Sequence, residues 1–175
     1  MKKLLSISLM GLLLLISLNT TAQNDKSKRP SPPVTVTQKV GGATITITYS
    51  QPSVKGRTIG VDLEPLPGKV WRAGANEATV FETDKDILVG GEILPKGKYG
   101  FFSIVQKETW TIIFNKTWDQ WGAFKYKEAD DVLRMPRDIR AGTFYEKLTY
   151  KIDAEGNMNI LWGDKDIHVL IQEKK

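Results

Sequence analysis

Between residues 34 and 50 the chain alternates apolar and polar side chains with a period of two. Val34, Val36 and Val40 alternate with polar neighbours. After Gly41-Gly42, Ala43, Ile45, Ile47 and Tyr49 alternate with Thr44, Thr46, Thr48 and Ser50. On a helix those residues would be scattered around the circumference, whereas on a strand they divide cleanly between two faces. Two such runs joined by Gly-Gly predict a β-hairpin, because glycine readily takes the positive φ that a two-residue hairpin turn demands. The Ile/Tyr face is expected against a core and the Thr face against water, the pattern of an antiparallel sheet covered on one side.

The same signal recurs to the C-terminus. Thr79–Glu82 reads as a strand, and Ile87–Val89 and Glu92–Leu94 read as a hairpin about Gly90-Gly91. Leu94-Pro95-Lys96-Gly97 is a turn, followed by strands at Tyr99–Val105 and Trp110–Phe114. Asp131–Met135 is a short strand that Pro136 is expected to end. A meander closes the chain: Leu148–Ile152, a turn at Asp153–Asn157, Met158–Trp162, a turn at Gly163–Asp166, then Ile167–Ile171. No amphipathic helix of three turns and no internal repeat is present. Many short strands between Gly, Pro and Asp turns predict an all-β fold with little helix: a single antiparallel β-sandwich with long irregular loops, or alternatively a β-barrel.

The N-terminus has a different character. Lys2-Lys3, the apolar run Leu4–Leu18 and the small residues Thr20-Thr21-Ala22 have the form of a signal peptide over residues 1–22, cut before Gln23. Residues 23–33 are polar and rich in Lys, Ser and Pro, and are expected to be a flexible tether. The single β-domain is expected over 34–175. Removal of Lys2 and Lys3 with the leader lowers the formal net charge from +5 to +3. No lysine or arginine stripe accompanies that mild excess, so nothing favours nucleic acid as a partner. The chain has no cysteine, which excludes disulfides, thiolate metal sites, a cysteine nucleophile and a lipid-modified N-terminal cysteine. The expectation is a periplasmic or secreted protein that is neither a lipoprotein nor stably inserted in a membrane.

Two stretches break the strand pattern. Ser53–Lys69 carries Gly56, Gly60, Pro65, Pro67 and Gly68 and feeds Val70-Trp71-Arg72-Ala73-Gly74-Ala75-Asn76-Glu77-Ala78-Thr79, which has no strand period before Ala78. Asn115–Tyr126 holds Trp118, Trp121, Phe124 and Tyr126. A segment of the first kind is either a turn held by side-chain hydrogen bonds or a recognition loop on a rigid scaffold. Arg57 and Arg72 could form a fork for a carboxylate, phosphate or sulfate, or could pin the loops by pairing with Glu77 or Asp131. Asn76 and Glu77 could be a polar recognition pair, with Glu77 the one candidate general acid or base. Equally, Asn76 could take a left-handed turn conformation and Glu77 could accept backbone N–H groups. Trp71, Trp118 and Trp121 either stack on a ligand or plug the ends of the sandwich, while Trp110 and Trp162 on strands are core. His168, the single histidine, lies on the strand face opposite Ile167, Val169 and Ile171, where it is expected to be exposed, and the chain barely offers partners for a catalytic or zinc role.

Tyr49-Ser50-Gln51-Pro52-Ser53-Val54-Lys55-Gly56-Arg57, the Val70–Thr79 stretch, Leu94-Pro95-Lys96-Gly97-Lys98-Tyr99, Trp110-Thr111-Ile112-Ile113-Phe114-Asn115-Lys116 and Trp121-Gly122-Ala123-Phe124 occur in this order. Together they resemble the bacterial family called domain of unknown function 2911, over nearly all of the chain after the leader. Members of that family often carry arginine where this chain has Gln51. The resemblance implies an exported protein of the Bacteroidota and no established activity.

No phosphate loop, nucleophile elbow, dinucleotide fingerprint or regular calcium loop is present, so no cofactor or metal is expected. Two functions remain. One is a non-catalytic envelope domain that binds a glycan, an anionic small molecule or another envelope protein through Arg57, Arg72, Asn76, Glu77 and Trp121. The other is a small periplasmic hydrolase using Glu77 with an aspartate, whose carboxylates would need to lie roughly 5–9.5 Å apart.

Overall fold

A computed structural model describes residues 25–106 and 108–174. The expected leader lies outside the described residues. The chain builds two antiparallel sheets that face each other across an apolar core. Sheet one contains β1 (Pro33–Val40), β2 (Ala43–Ser50), β3 (Val70–Trp71), β4 (Ala75–Thr83), β7 (Gly97–Gln106), β8 (Thr109–Asn115) and β9 (Asp131–Asp138). Its order is β1-β2-β4-β7-β8-β9, with β3 paired to the far half of β7. Sheet two has the order β10 (Arg140–Ile152), β11 (Asn157–Glu173), β5 (Ile87–Val89), β6 (Glu92–Leu94). Neither sheet closes into a barrel. Among the described residues the helical content is two single 3-10 turns, Lys26–Lys28 and Glu128–Asp130.

The opening hairpin has the predicted register, from Val40 opposite Ala43 back to Pro33 opposite Ser50. Ala43, Ile45, Ile47 and Tyr49 are buried, and the threonine face is bound across the strands by Thr35–Thr48 and Thr37–Thr46 hydroxyl pairs. Edge-on rings fill the centre: Phe81, Phe101 and Phe114 pack together, Trp71 meets Trp110 at 5.7 Å, and Tyr49 meets Tyr150 at 4.7 Å. Trp110 and Trp162 are fully buried, as expected. Past β2 the chain crosses to sheet two, where Pro52 and Val54 hydrogen-bond β10 on either side of a Ser53–Lys147 bridge.

Three expectations are corrected. The final meander has one strand fewer, because β11 runs unbroken for 17 residues through the expected turn at Gly163–Asp166. Its inward residues are Met158, Ile160 and Trp162, then Ile167, Val169 and Ile171, so the phase slips by one residue between them. Gly163, at φ +60°, absorbs that extra residue as a bulge beside a register shift in β10. Pro136 does not end β9; it sits opposite Thr111 within the strand. β9 is the outer strand of its sheet, and an edge strand has a side on which the missing N–H is not needed. The Val70–Thr79 stretch is also more regular than its pattern suggests, since β3 and the first half of β4 both lie in it.

The register gives a direct stability test. Ile47→Ala should cost about 2–5 kcal/mol of unfolding free energy in urea, and Thr46→Ala on the opposite face well under that. Equal losses would contradict the assignment of faces.

Candidate functional site

The Val70–Thr79 stretch is built as a buckle. Trp71 points into the core, and its indole N–H donates to the Gly74 carbonyl at 3.1 Å. The chain turns at Ala73, whose φ of +50° is unusual for a residue with a Cβ. The Ala73 carbonyl accepts two hydroxyl groups, Thr79 Oγ1 at 2.9 Å and Tyr150 OH at 2.7 Å. Burial pushes the Tyr150 hydroxyl well above its ordinary pKa, so it remains a donor at any working pH. Gly74 has no room for a side chain, because a Cβ there would stand 2.8 Å from Thr79 Oγ1. Asn76 takes the left-handed conformation, φ +57°. The stretch is thus a turn held by side-chain hydrogen bonds, and it carries Arg72, Asn76 and Glu77 at its rim.

The second irregular stretch folds over the outer face of sheet one. Ala123 and Tyr126 pack on Ala78, Phe102 and Ile113, an apolar patch on the side of the sheet away from the main core. A polar network holds its base. Asn115 Nδ2 donates to Asp131 Oδ1 at 2.6 Å and to the Lys127 carbonyl at 2.9 Å. Tyr126 OH donates to Asp131 Oδ2 at 2.7 Å, and Arg134 Nη1 reaches the same oxygen at 2.9 Å. Inside the loop, Gln120 donates to the Thr117 carbonyl and accepts from the Lys125 N–H. With the loop's polar groups satisfied in this way, its large aromatics face outward: Trp118, Trp121 and Phe124 are 38, 52 and 85 % exposed.

The two stretches join edge to edge. The Ala78 N–H donates to the Gln120 carbonyl and the Gly122 N–H to the Asn76 carbonyl, each at 2.9 Å, placing Glu77 opposite Trp121. Segment 25–32, expected to be a tether, lies against this junction. Asp25 caps the short turn Lys26–Lys28. Arg29 Nη1 then donates to both Glu77 oxygens, at 3.0 and 2.9 Å, and Lys26 Nζ lies 3.0 Å from one of them. The Arg29 guanidinium stands 5.9 Å from the Trp121 ring centroid. Asn76 Nδ2 donates to the Ser31 carbonyl at 2.9 Å.

Among the five candidates, Asn76, Glu77 and Trp121 therefore meet directly, and Arg72 reaches the same place. Its Nη1 lies 3.7 Å from where a Cβ on Gly122 would stand. Arg72 Nε is buried with no hydrogen-bond partner, and no carboxylate pairs with the guanidinium among the described residues. Burial lowers the Arg72 pKa, and the Glu64 charge works the other way without forming an ion pair. Arg57 stands apart. It folds onto its own turn, donating from Nε to the Val54 carbonyl at 3.0 Å and from Nη2 to the Ser53 carbonyl at 2.6 Å. Among the described residues it makes no hydrogen bond or ion pair with the other four, so the two arginines do not come together as a fork. His168 is half-buried and bonded to Asn157, and no group of three His, Asp or Glu side chains among the described residues could hold a metal ion.

Lys26 and Arg29 were missed because their surroundings read as linker composition. The signal that could have found them is the Arg-Pro-Ser-Pro-Pro run, which is stiff as well as polar. For Glu77, partial burial opposes ionisation, but the hydrogen bonds from Arg29, from its own backbone N–H and from Lys26 outweigh it and hold the pKa at about 2. A depressed carboxylate pKa stabilises the fold above the unfolded value near 4.5 and loses that contribution as pH falls toward 2. An NMR titration of the Glu77 carboxyl should show a midpoint near 2, moving toward the ordinary value in Arg29→Ala. A midpoint above 4 in the parent would contradict this ion cluster.

A family profile described as "Protein of unknown function (DUF2911)" matches residues 31–171, and the chain belongs to that family. A search of curated proteins and a search of solved structures each returned no match.

Proposed function

We propose that this chain is an exported, non-catalytic binding domain whose ligand is an acidic saccharide. The observation that carries the reading is the loop of Trp118, Trp121 and Phe124, all exposed, with the Arg72 guanidinium near its Gly122 and in no ion pair among the described residues. Large aromatics left outside a fold with ample core mark an interaction surface. Their faces suit the C–H faces of sugar rings, and the planar donor array of arginine suits a carboxylate or sulfate on those rings. Lys98 Nζ lies 5.4 Å from the Trp118 ring centroid, but it is paired with Glu82 at 3.2 Å, so Arg72 is the cation the reading rests on. Glu77 offers little to catalysis. Its pKa of about 2 makes it a poor acid at neutral pH, and its side-chain partners are the cations Arg29 and Lys26, with no aspartate among them. The leader and the envelope location belong to the same reading.

The test uses protein recovered from the periplasm or medium. An intact mass beginning at Gln23 agrees with export, and a product retaining Met1 contradicts it. Titration calorimetry with a uronic-acid oligosaccharide should then give a saturable heat, at least tenfold weaker with the neutral counterpart. Trp118→Ala should abolish it. Arg72→Met should remove the preference for the acid while keeping the urea unfolding free energy within about 1 kcal/mol of the parent, since an unpaired guanidinium gives way to an apolar chain. No heat with either sugar would sink the reading.

A further inference from the structure

We infer that Glu77, Asn76 and Trp121 form a receptor for an arginine-bearing, proline-rich extended peptide, and that this chain fills it in cis with its own Arg29-Pro30-Ser31-Pro32-Pro33. The inference shares Trp121 with the saccharide reading but is carried by Glu77, Asn76 and Arg29, which that reading does not use. One guanidinium nitrogen of Arg29 is shared by both Glu77 oxygens at 3.0 and 2.9 Å, and the same guanidinium lies 5.9 Å from the Trp121 ring centroid. A carboxylate and an aromatic ring together select a planar cation. The next contacts read backbone alone. The Ser31 carbonyl accepts from Asn76 Nδ2 and the Pro32 carbonyl accepts from the Gln51 N–H, both at 2.9 Å. The backbone at Arg29, φ −67° and ψ 150°, is polyproline II. The recognised unit is thus an arginine followed by an extended backbone, with a lysine three residues before it as a second charge on Glu77. Prolines preset that conformation, so little chain entropy is lost on docking, the economy that proline-rich recognition exploits elsewhere.

The occupant is exchangeable because so little holds it. Lys26, Ser27 and Lys28 are exposed, and none of residues 25–32 belongs to either apolar cluster. What remains is two backbone contacts, the Arg29–Trp121 ring contact and ion pairs to a carboxylate that is 38 % exposed, and such pairs hold weakly. A segment of another protein with the same Arg-Pro chemistry and contacts of its own can displace it.

The test vacates the arginine position of the seat and offers it an arginine in trans. The full chain carrying Arg29→Ala, labelled with 15N, is titrated with a synthetic peptide of residues 25–33. The Glu77 amide and the Trp121 indole N–H should shift saturably, with at least tenfold tighter binding than to the parent, whose seat is occupied. The same peptide carrying R29A should bind at least tenfold more weakly. Arg29 lies outside both sheets, so the variant should keep the parent spectrum. Should it not, Arg29→Lys, which keeps the charge and loses the planar fork, serves with the same peptide. Unmoved Glu77 and Trp121 signals at millimolar peptide, or equal binding of the peptide lacking arginine, would overturn the inference. Neither result bears on the saccharide heat.

Discussion

The backbone carbonyl of Ala73 is where the two sheets and the outer-face loop depend on one another. It accepts Tyr150 OH from sheet two and Thr79 Oγ1 from β4, in a turn whose neighbouring Trp71 is sealed in the core. A left-handed alanine costs on the order of 1 kcal/mol or more and persists only where its surroundings over-determine it. Here two hydroxyl donors, the indole N–H of Trp71 on Gly74 and the pairing of β3 with β7 provide that determination. Because the turn is fixed, the following residues are fixed as well. Asn76 and Ala78 present the carbonyl and N–H that receive Gly122 and Gln120, and the aromatic loop is registered against them. The interior of the sandwich thus positions groups on its outside, through backbone hydrogen bonds at each step.

The charges at the rim are arranged unevenly. Glu77 is satisfied twice over, by Arg29 and Lys26. Arg72, a few residues away in the chain, has a buried Nε with no partner and a guanidinium with no paired carboxylate among the described residues. A folded chain that needed only to brace this segment would have gained more by pairing Arg72 with Glu77 than by leaving a partly desolvated guanidinium unpaired near Gly122. That imbalance gives the outer face its chemical character: an unpaired cation next to apolar planes, with an occupied carboxylate at the side.

Strand order along the chain was legible wherever one face was apolar and the turn was marked, by Gly-Gly in β1–β2 and β5–β6 and by Pro95 and Gly97 between β6 and β7. It was misread where the phase slipped. At Gly163 the slip looked like a turn, because a bulge and a turn both interrupt alternation, and only the partner strand decides between them. The Val70–Thr79 stretch was legible as important but not as strand, since β3 has two residues and Asn76 interrupts the start of β4. Its partners, Tyr150 and the 120–122 segment, are distant in sequence and no local pattern points to them. The site was partly legible: Asn76, Glu77 and Trp121 do meet, whereas Arg57 is spent on its own turn. Lys26 and Arg29 were hidden by composition, since Lys, Ser and Pro describe a loose linker and a stiff, docked segment equally well.

The claim that the Ala73 carbonyl is the keystone is tested most directly by the urea unfolding free energy of the double variant Tyr150→Phe, Thr79→Val. Each substitution removes one hydroxyl donor with almost no change of shape. Buried hydrogen bonds of this kind contribute about 0.5–1.5 kcal/mol each, and loss of both leaves a buried carbonyl unsatisfied. The account predicts a loss of about 2–3 kcal/mol, larger than the two single variants added together. A double variant within about 0.5 kcal/mol of the parent would contradict it, because the turn would then hold without either hydroxyl.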